Sequence, residues 1–450
     1  MNNLICFQDL WLVITGRSCM KDPELVTKDL NNSIDALKLG LDYYQPYSES
    51  SVSKFKKETK ISENLNKFVL KAAKLLNLDC HQTHDLTKQY ARSFFHGSRQ
   101  KLRQILADER NGAILLGDLA NHYFTERLYL LRTISPIIGY FQDQSHPFQR
   151  VYSEALSSLP DLTQTLQSQL EKSFDDSLPT FSTRGQDCSP ELQTRFALQR
   201  VKEQCEILEI LLIYYSHFEL PPNVLVKLIK LFKDHNFGID HPLREVVDPR
   251  MMSPLLSCLS ALEQILIIEG LDMDFLMESE ATKEHQLVKD KSAFKTIDDI
   301  IKDIVHQPDL SVLVLSWATV RYLVMDDHGG VTTQKLGERT IEEKVWEHFA
   351  HLLAVYPFNT TSNVSLTARR VLRGVLSSVT TSFHEDTLGD FSSIVTVATE
   401  VMNHSENSKG LSGPGLEQLL VSAAGYFPLA VEPLLLLVTS MTSSLPSAME

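Results

Sequence analysis

Val201 to Gly238 reads VKEQCEILEILLIYYSHFELPPNVLVKLIKLFKDHNFG, and its spacing decides the fold class. Val201, Cys205, Leu208, Leu211, Leu212, Tyr215 and Phe218 alternate steps of three and four, the period of one helix face. Pro221-Pro222 stops that helix and opens the next, because proline is tolerated in a first helical turn. The second stripe runs Val224, Leu225, Leu228, Ile229 and Phe232. It is expected to end near Phe237-Gly238, with Gly238 just past the cap.

The same grammar extends outward. Gly16 closes a first helix, and Asp22-Pro23 opens a second reaching Tyr44. Asn111 to Phe124 and Glu126 to Phe141 read as a pair, and His146-Pro147 restarts the chain. Leu255 to Ile268, Leu310 to Val324 and Ile341 to Val355 each read as one helix. Leu366 to Phe383, Phe391 to Val401, Leu416 to Phe427 and a segment from Leu429 to Met441 complete the series. No alternating strand with an Asn-Gly or Asp-Gly turn interrupts it.

About 20 such helices suggest pairs of roughly 40–47 residues. No sharp signature repeats, so the expected architecture is all-α, an irregular HEAT-like or armadillo-like α-solenoid, continuous over residues 1–450. A pair cannot bury its apolar stripe alone and needs neighbours on both sides. With packed helices about 8–10 Å apart, the stack would form an arc on the order of 100 Å. Loops are expected at 48–60, 175–190 and 404–415, where polar residues lack periodicity.

Composition narrows function. The 450 residues are 43% apolar and 22% charged, ordinary for a folded chain. The balance of 43 Lys+Arg against 57 Asp+Glu gives −14, which opposes direct nucleic-acid binding. No Lys/Arg run is longer than the Lys56-Lys57 and Arg369-Arg370 pairs. Six scattered cysteines without a C-x-x-C pair read as reduced, mostly buried thiols. No transmembrane segment is expected: Leu310 to Val324 is short and carries Arg321, and Leu416 to Val438 is broken by Pro428 and Pro433.

Candidate chemistry is thin. Cys80, His81, His84 and Asp85 form the best metal-like cluster, but a zinc site needs three or four converging ligands, and a helix start with exposed histidines explains them as well. His348 and His351 lie in an amphipathic helix with Trp346, Phe349, Leu352 and Leu353, without the His-Glu-x-x-His order. Gly410, Gly413 and Gly415 precede a helix, yet no strand leads in and no Gly-Lys-Ser/Thr follows. Acidic pairs such as Asp298-Asp299 read as helix ends or solvated faces. No catalytic, cofactor-binding or metal-binding residue is therefore assigned, no cofactor is expected, and the reading is non-enzymatic. The doublets Tyr43-Tyr44, Phe94-Phe95 and Tyr214-Tyr215 read first as serving two packing layers.

Several ordered stretches carry a resemblance. They are DLW at Asp9 to Trp11, LDYYQP at Leu41 to Pro46, LADER at Leu106 to Arg110, and YFQDQSHP at Tyr140 to Pro147. They continue with LEILLIYYSHFE at Leu208 to Glu219, LFKDHNFG at Leu231 to Gly238, LSWA at Leu315 to Ala318, and GYFP at Gly425 to Pro428. Each is modestly specific; their succession over nearly the whole chain resembles the N-terminal region of the nucleoporin one-eighty-eight family of large inner-ring scaffold nucleoporins.

That resemblance implies a right-handed superhelix like that of nuclear transport receptors, located in the nuclear pore complex at the nuclear envelope. It implies scaffold support for protein and mRNA transport, including passage of inner nuclear membrane proteins. Other inner-ring nucleoporins are the implied partners. The linker-nucleoporin contact is expected mainly from family regions beyond Glu450. The alternative is a soluble, transport-receptor-like solenoid that binds Phe-Gly repeats or cargo peptides.

Overall fold

A computed structural model describes residues 6–19, 22–41, 46–59, 61–175, 190–278, 284–325, 328–383, 387–402 and 414–443. Among these residues the chain is all-α, with no strand. It divides into two compact units, Met1–Ile210 with Leu243–Leu255, and Leu211–Pro242 with Leu256–Glu450. The helices in chain order are α1 Phe7–Ile14, α2 Pro23–Leu41, α3 Glu49–Glu58, α4 Glu63–Leu76, α5 Cys80–Phe95, α6 Arg99–Ile105 and α7 Glu109–Tyr140. They continue with α8 Gln149–Ser157, α9 Leu162–Asp175, α10 Pro190–Tyr215, α11 Pro222–Asp234, α12 Pro249–Gly270, α13 Met273–Glu278, α14 Gln286–Lys289 and α15 Lys291–Ile304. The last are α16 Ser311–Val324, α17 Gly330–Glu342, α18 Val345–Ala354, α19 Asn363–Ser382, α20 Phe391–Met402, α21 Pro414–Gly425 and α22 Glu432–Ser443.

In the first unit α7 is the spine, packed against α1, α4, α5 and α8. Leu115, Leu119 and Tyr123 of α7 join Phe68, Leu76 and Leu86 in one core cluster. The expected break between Asn111–Phe124 and Glu126–Phe141 does not exist. No glycine or proline stands at Thr125, whose hydroxyl instead bonds back to the Asn121 carbonyl one turn earlier, at 2.9 Å. The adjacent Glu126 and Arg127 point to two different helix ends. Glu126 accepts from the Phe7 N–H at 2.8 Å and from the Cys6 thiol at 3.2 Å, capping the start of α1. Arg127 donates to the Gly40 carbonyl at 2.8 Å, in the last turn of α2.

Residues 48–60, expected as a loop, contain α3. Ser48 caps it by accepting from the Ser51 N–H, and Phe55 is fully buried against Val69, Ala73 and Cys80. The Ser/Lys composition that suggested a connection is the solvated face of this short helix. Almost all of 175–190 and 404–415 lies outside the described residues, as do Tyr43, Tyr44, Cys188, Asp326 and Asp327.

In the second unit α16 is central, packed against α13, α15, α17, α18 and α19. Every residue from Ser311 to Arg321 is buried, the pattern of a helix covered on all sides. Its Trp317 indole donates to Asp298 at 2.9 Å and its Arg321 at 2.6 Å, while Lys302 pairs with the other Asp298 oxygen. Burial alone would raise this carboxyl; the Lys302, Trp317 and Arg321 bonds outweigh it and hold Asp298 below its usual range. Asp298 is thus a core residue, a correction to its reading as a solvated acid, whereas Asp299 is exposed.

Two other boundaries differ from expectation. Ile341 to Val355 is split between α17 and α18, because Lys344 adopts a left-handed conformation at φ 57°. Helix α11 ends at Asp234, not near Gly238. The Phe237 N–H bonds to the Phe232 carbonyl and the Asn236 N–H to that of Lys233, a Schellman closure with Asn236 at the left-handed position. Pro249–Leu276 is long and apolar enough to cross a membrane, at mean hydropathy 1.6, a stretch the sequence reading passed over. In the structure 67% of that window is buried inside the fold, as in a core helix of a folded domain.

Gly415, one of the glycines weighed as a phosphate loop, has a packing role. A Cβ there would lie 2.6 Å from the Ser377 backbone, so α21 rests directly on α19. Gly410 and Gly413 lie outside the described residues. We expect Gly415→Ala to destabilise the second unit by about 1–3 kcal/mol through overpacking, read as a lower denaturation midpoint.

A buried pair supplies a pH test. His235 bonds through Nδ1 to the Leu231 carbonyl at 2.9 Å, which requires Nδ1 to donate. In the neutral ring Nε2 then accepts, and Glu263, 3.0 Å away and wholly buried, donates as the uncharged acid. Burial drives both directions, raising Glu263 well above its usual value and lowering His235 to about 4. A raised carboxyl pKa means stability present at low pH that is lost as pH climbs past the unfolded value toward the folded one. Glu263→Gln, which keeps the donor without the proton, is expected to flatten the decline in melting temperature between pH 5 and 9.

Candidate functional site

The residues weighed for metal do not converge. Asp79 caps α5 by accepting from the His81 and Gln82 N–H groups, and the Cys80 N–H donates to Ser51. His81 and His84 both set ring edges against Phe55, and Asp85 pairs with Lys88. His84 is buried rather than exposed, because its ring covers Phe55. His348 faces Asp309 at 3.7 Å while His351 is exposed on α18. Trp346, Phe349, Leu352 and Leu353 are buried as expected, with the Trp346 indole donating to the Leu388 carbonyl. The five described cysteines are free; Cys80, Cys205 and Cys258 are buried, Cys6 half-buried and Cys19 exposed.

The basic pair Arg369-Arg370 is turned inward. Arg369 donates to the Glu400 and Phe358 carbonyls, so its charge serves helix ends. Arg370 forms ion pairs with Glu269 and with Asp274, the latter at 2.9 Å. Of the aromatic doublets, Tyr215 is buried while Tyr214 stacks on Phe218 at 4.5 Å. Phe94 stacks on Tyr90 but remains 57% exposed, so that doublet serves one packing layer only.

Around Arg370 lies a cleft of about 530 Å³ within the second unit. Its walls come from the end of α10, the end of α12, α13, the turn into α14, and Arg370 of α19. Gly270 permits that convergence, since a Cβ would sit 2.5 Å from Leu220 and 2.8 Å from Leu225. Asp272 turns the chain at φ 48° and its side chain caps α13 at the Phe275 N–H. Five carboxylates, Glu219, Glu269, Asp272, Asp274 and Glu284, line the cleft against two cations, Lys289 and Arg370. Glu269 is raised by its burial, with Arg370 pulling it back down.

His285 closes the cleft floor. It is 4% exposed, its ring lies 5.7 Å from that of Phe275, and its Nδ1 has no hydrogen-bond partner. Burial lowers its pKa, so the ring is neutral near pH 7. Sequence reasoning missed this cleft because its residues come from four separate segments. The signals that existed were an acidic, aromatic stretch from Glu269 to Glu278 and the EGLD motif within it.

Residues 29–448 match the family described as Nucleoporin Nup188, N-terminal. The chain belongs to that family. It is 28% identical to Nucleoporin NUP188 of Homo sapiens over 449 residues, covering 98% of this chain and 26% of the relative. The Xenopus tropicalis Nucleoporin NUP188 is also 28% identical, over 97% of this chain and 26% of its own length. Nucleoporin Nup188 of Drosophila melanogaster is 25% identical over 383 residues, 82% of this chain and 20% of the relative. The chain thus spans about a quarter of the length of the vertebrate relatives it matches.

Within this Nup188 N-terminal chain, Arg370 ties α19 to α12 and α13, and removing it leaves Glu269 buried beside Asp274. Arg370→Ala is expected to cost about 1–3 kcal/mol, below the range for a fully buried pair because Arg370 is 37% exposed. Adding Glu269→Gln to that variant is expected to recover part of the lost melting temperature, since the uncharged amide no longer needs the cation.

Proposed function

We propose that this chain acts as a structural part of the nuclear pore complex at the nuclear envelope, a non-enzymatic helical scaffold of the inner ring that supports nucleocytoplasmic transport. The observation that carries the reading is the family match over residues 29–448. The fold supports it: helices stack on helices, and the charged side chains best placed for chemistry are committed to helix ends or to one another. The partners in this reading are other inner-ring nucleoporins, with protein and mRNA transport as the processes served.

The net charge of −14 supports contact with proteins over contact with nucleic acid. Immunoprecipitation of the native protein with an antibody raised against residues 1–450, followed by mass spectrometry, tests the reading. Enrichment of inner-ring nucleoporins, with staining at the nuclear rim, is the expected result. A diffuse signal without pore components would overturn it and favour a free transport-receptor-like solenoid.

A further inference from the structure

We propose that the cleft between Glu219, Asp272, Glu284 and His285 is a docking pocket for an arginine side chain presented by an extended segment of a partner protein. The family match assigns nothing to these residues. Arg370 already occupies Glu269 and Asp274. Glu219, Asp272 and Glu284 are exposed and have no ion-pair partner among the described residues. With Lys289 as the other lining cation, three carboxylates face one ammonium, so the described lining keeps a net negative charge.

Three further features select the ligand. First, α10 ends at Tyr215 and α12 at Gly270, so two helix C-termini, the negative ends of their dipoles, converge on the cleft. Second, the His285 ring is buried at the cleft, and burial lowers its pKa. Its Nδ1 is buried and has no hydrogen-bond partner. An unpaired polar atom of this kind is costly until a donor arrives, so the site is built for a ligand that brings N–H groups. Third, Phe275 lines the cleft beside the carboxylates, and an aromatic ring suits a planar guanidinium better than an ammonium.

Size agrees as well. About 530 Å³ holds one long side chain with its adjoining backbone and falls within the range of small-ligand pockets. In the bound state the guanidinium donates to His285 Nδ1 and to the Asp272 or Glu219 carboxylate, while its stem lies along Phe275.

The test uses the full 450-residue chain and a fluorescein-labelled Ser-Gly-Arg-Gly-Ser peptide, followed by anisotropy at low salt. Saturable binding is expected, lost when the arginine is replaced by the isosteric, uncharged citrulline and weaker for the lysine peptide. The double variant Glu219→Gln with Asp272→Asn, both on the exposed rim, is expected to weaken binding about tenfold with an unchanged melting temperature. His285→Phe removes the acceptor and is expected to do the same. If that variant melts early, His285→Gln, which retains an acceptor oxygen, is expected to bind near wild type. Equal binding of the citrulline or lysine peptide would overturn the assignment. So would an equal loss in the remote control Asp299→Asn with Glu338→Gln, which would reduce the effect to general charge. Saturable binding of spermidine where the arginine peptide fails would likewise overturn it, assigning the pocket to a free polyamine.

Discussion

A helix end that is buried leaves up to four N–H or four carbonyl groups without partners inside the helix, and water cannot reach them. The whole structure is organised by how that demand is met. In the first unit, Glu126 takes the Phe7 N–H at the start of α1, and Arg127 gives to Gly40 near the end of α2. The Tyr152 hydroxyl donates to the Ile14 carbonyl at the other end of α1. In the second unit, Arg369 serves both the Glu400 carbonyl and that of Phe358, with Ser365 sharing the latter. The Glu126, Arg127, Tyr152 and Arg369–Glu400 contacts link residues 31 or more positions apart in sequence, while the Phe358 contacts close the turn before α19. Stacking alone fixes which faces meet. The end contacts fix where along its length each helix stops against its neighbour.

The same demand explains why an acidic chain buries so many of its cations. A guanidinium has five donors in a rigid fork and can satisfy two or three acceptors at once, so one arginine replaces several waters at a helix end. Arg127 and Arg369 reach carbonyls in the last turns of α2 and α20, while Arg321 joins Asp298, the Thr333 hydroxyl and the Gly329 carbonyl. Burying such a charge is expensive unless its field is matched, and Arg321 is matched by Asp298 while Arg127 has Glu203 at 3.6 Å. The buried cations Arg127, Arg321 and Arg369 are matched in number by the buried acids Glu126, Glu263 and Asp298, so by formal charge the outside keeps the acidic balance of the chain, −14. That bias opposes phosphate backbones and favours basic protein segments.

Much of the fold was legible because an apolar stripe is a local pattern. The stripe from Val201 to Tyr215, the Pro221-Pro222 break and the Trp346 to Leu353 core face stand where periodicity places them, while Phe218, the last member of that stripe, lies exposed past the end of α10. What stayed hidden is non-local. Nothing near Thr125 says whether a helix stops there; its continuity depends on packing along both flanks of α7. Lys344 breaks α17 from α18 by a left-handed turn that an unremarkable lysine does not announce. The polar composition of Ser48 to Lys60 concealed Phe55, a single apolar anchor whose weight comes from Val69 and Cys80. Asp298 looked solvated because its partners, Trp317 and Arg321, lie on another helix. Ordered motifs along the chain identified the family, yet they are packing motifs and say nothing about the cleft, whose residues meet only after folding.

The cleft is one place where the organising demand is left unmet. Several buried polar atoms at helix junctions find an arginine, a serine or a carboxylate from the adjoining helix, while others, such as Gln264 Oε1 and Ser311 Oγ, share with His285 Nδ1 the lack of a hydrogen-bond partner. At His285 the junction brings two helix C-termini and five carboxylates together, yet Arg370 is committed to two of those carboxylates and does not reach His285 Nδ1. A fold that joins several of its helices through guanidinium groups presents here an acceptor set of the same chemistry. An arginine from a neighbouring protein would be held by the interactions that join this chain's own helices, making an assembly contact of the same kind as the internal ones.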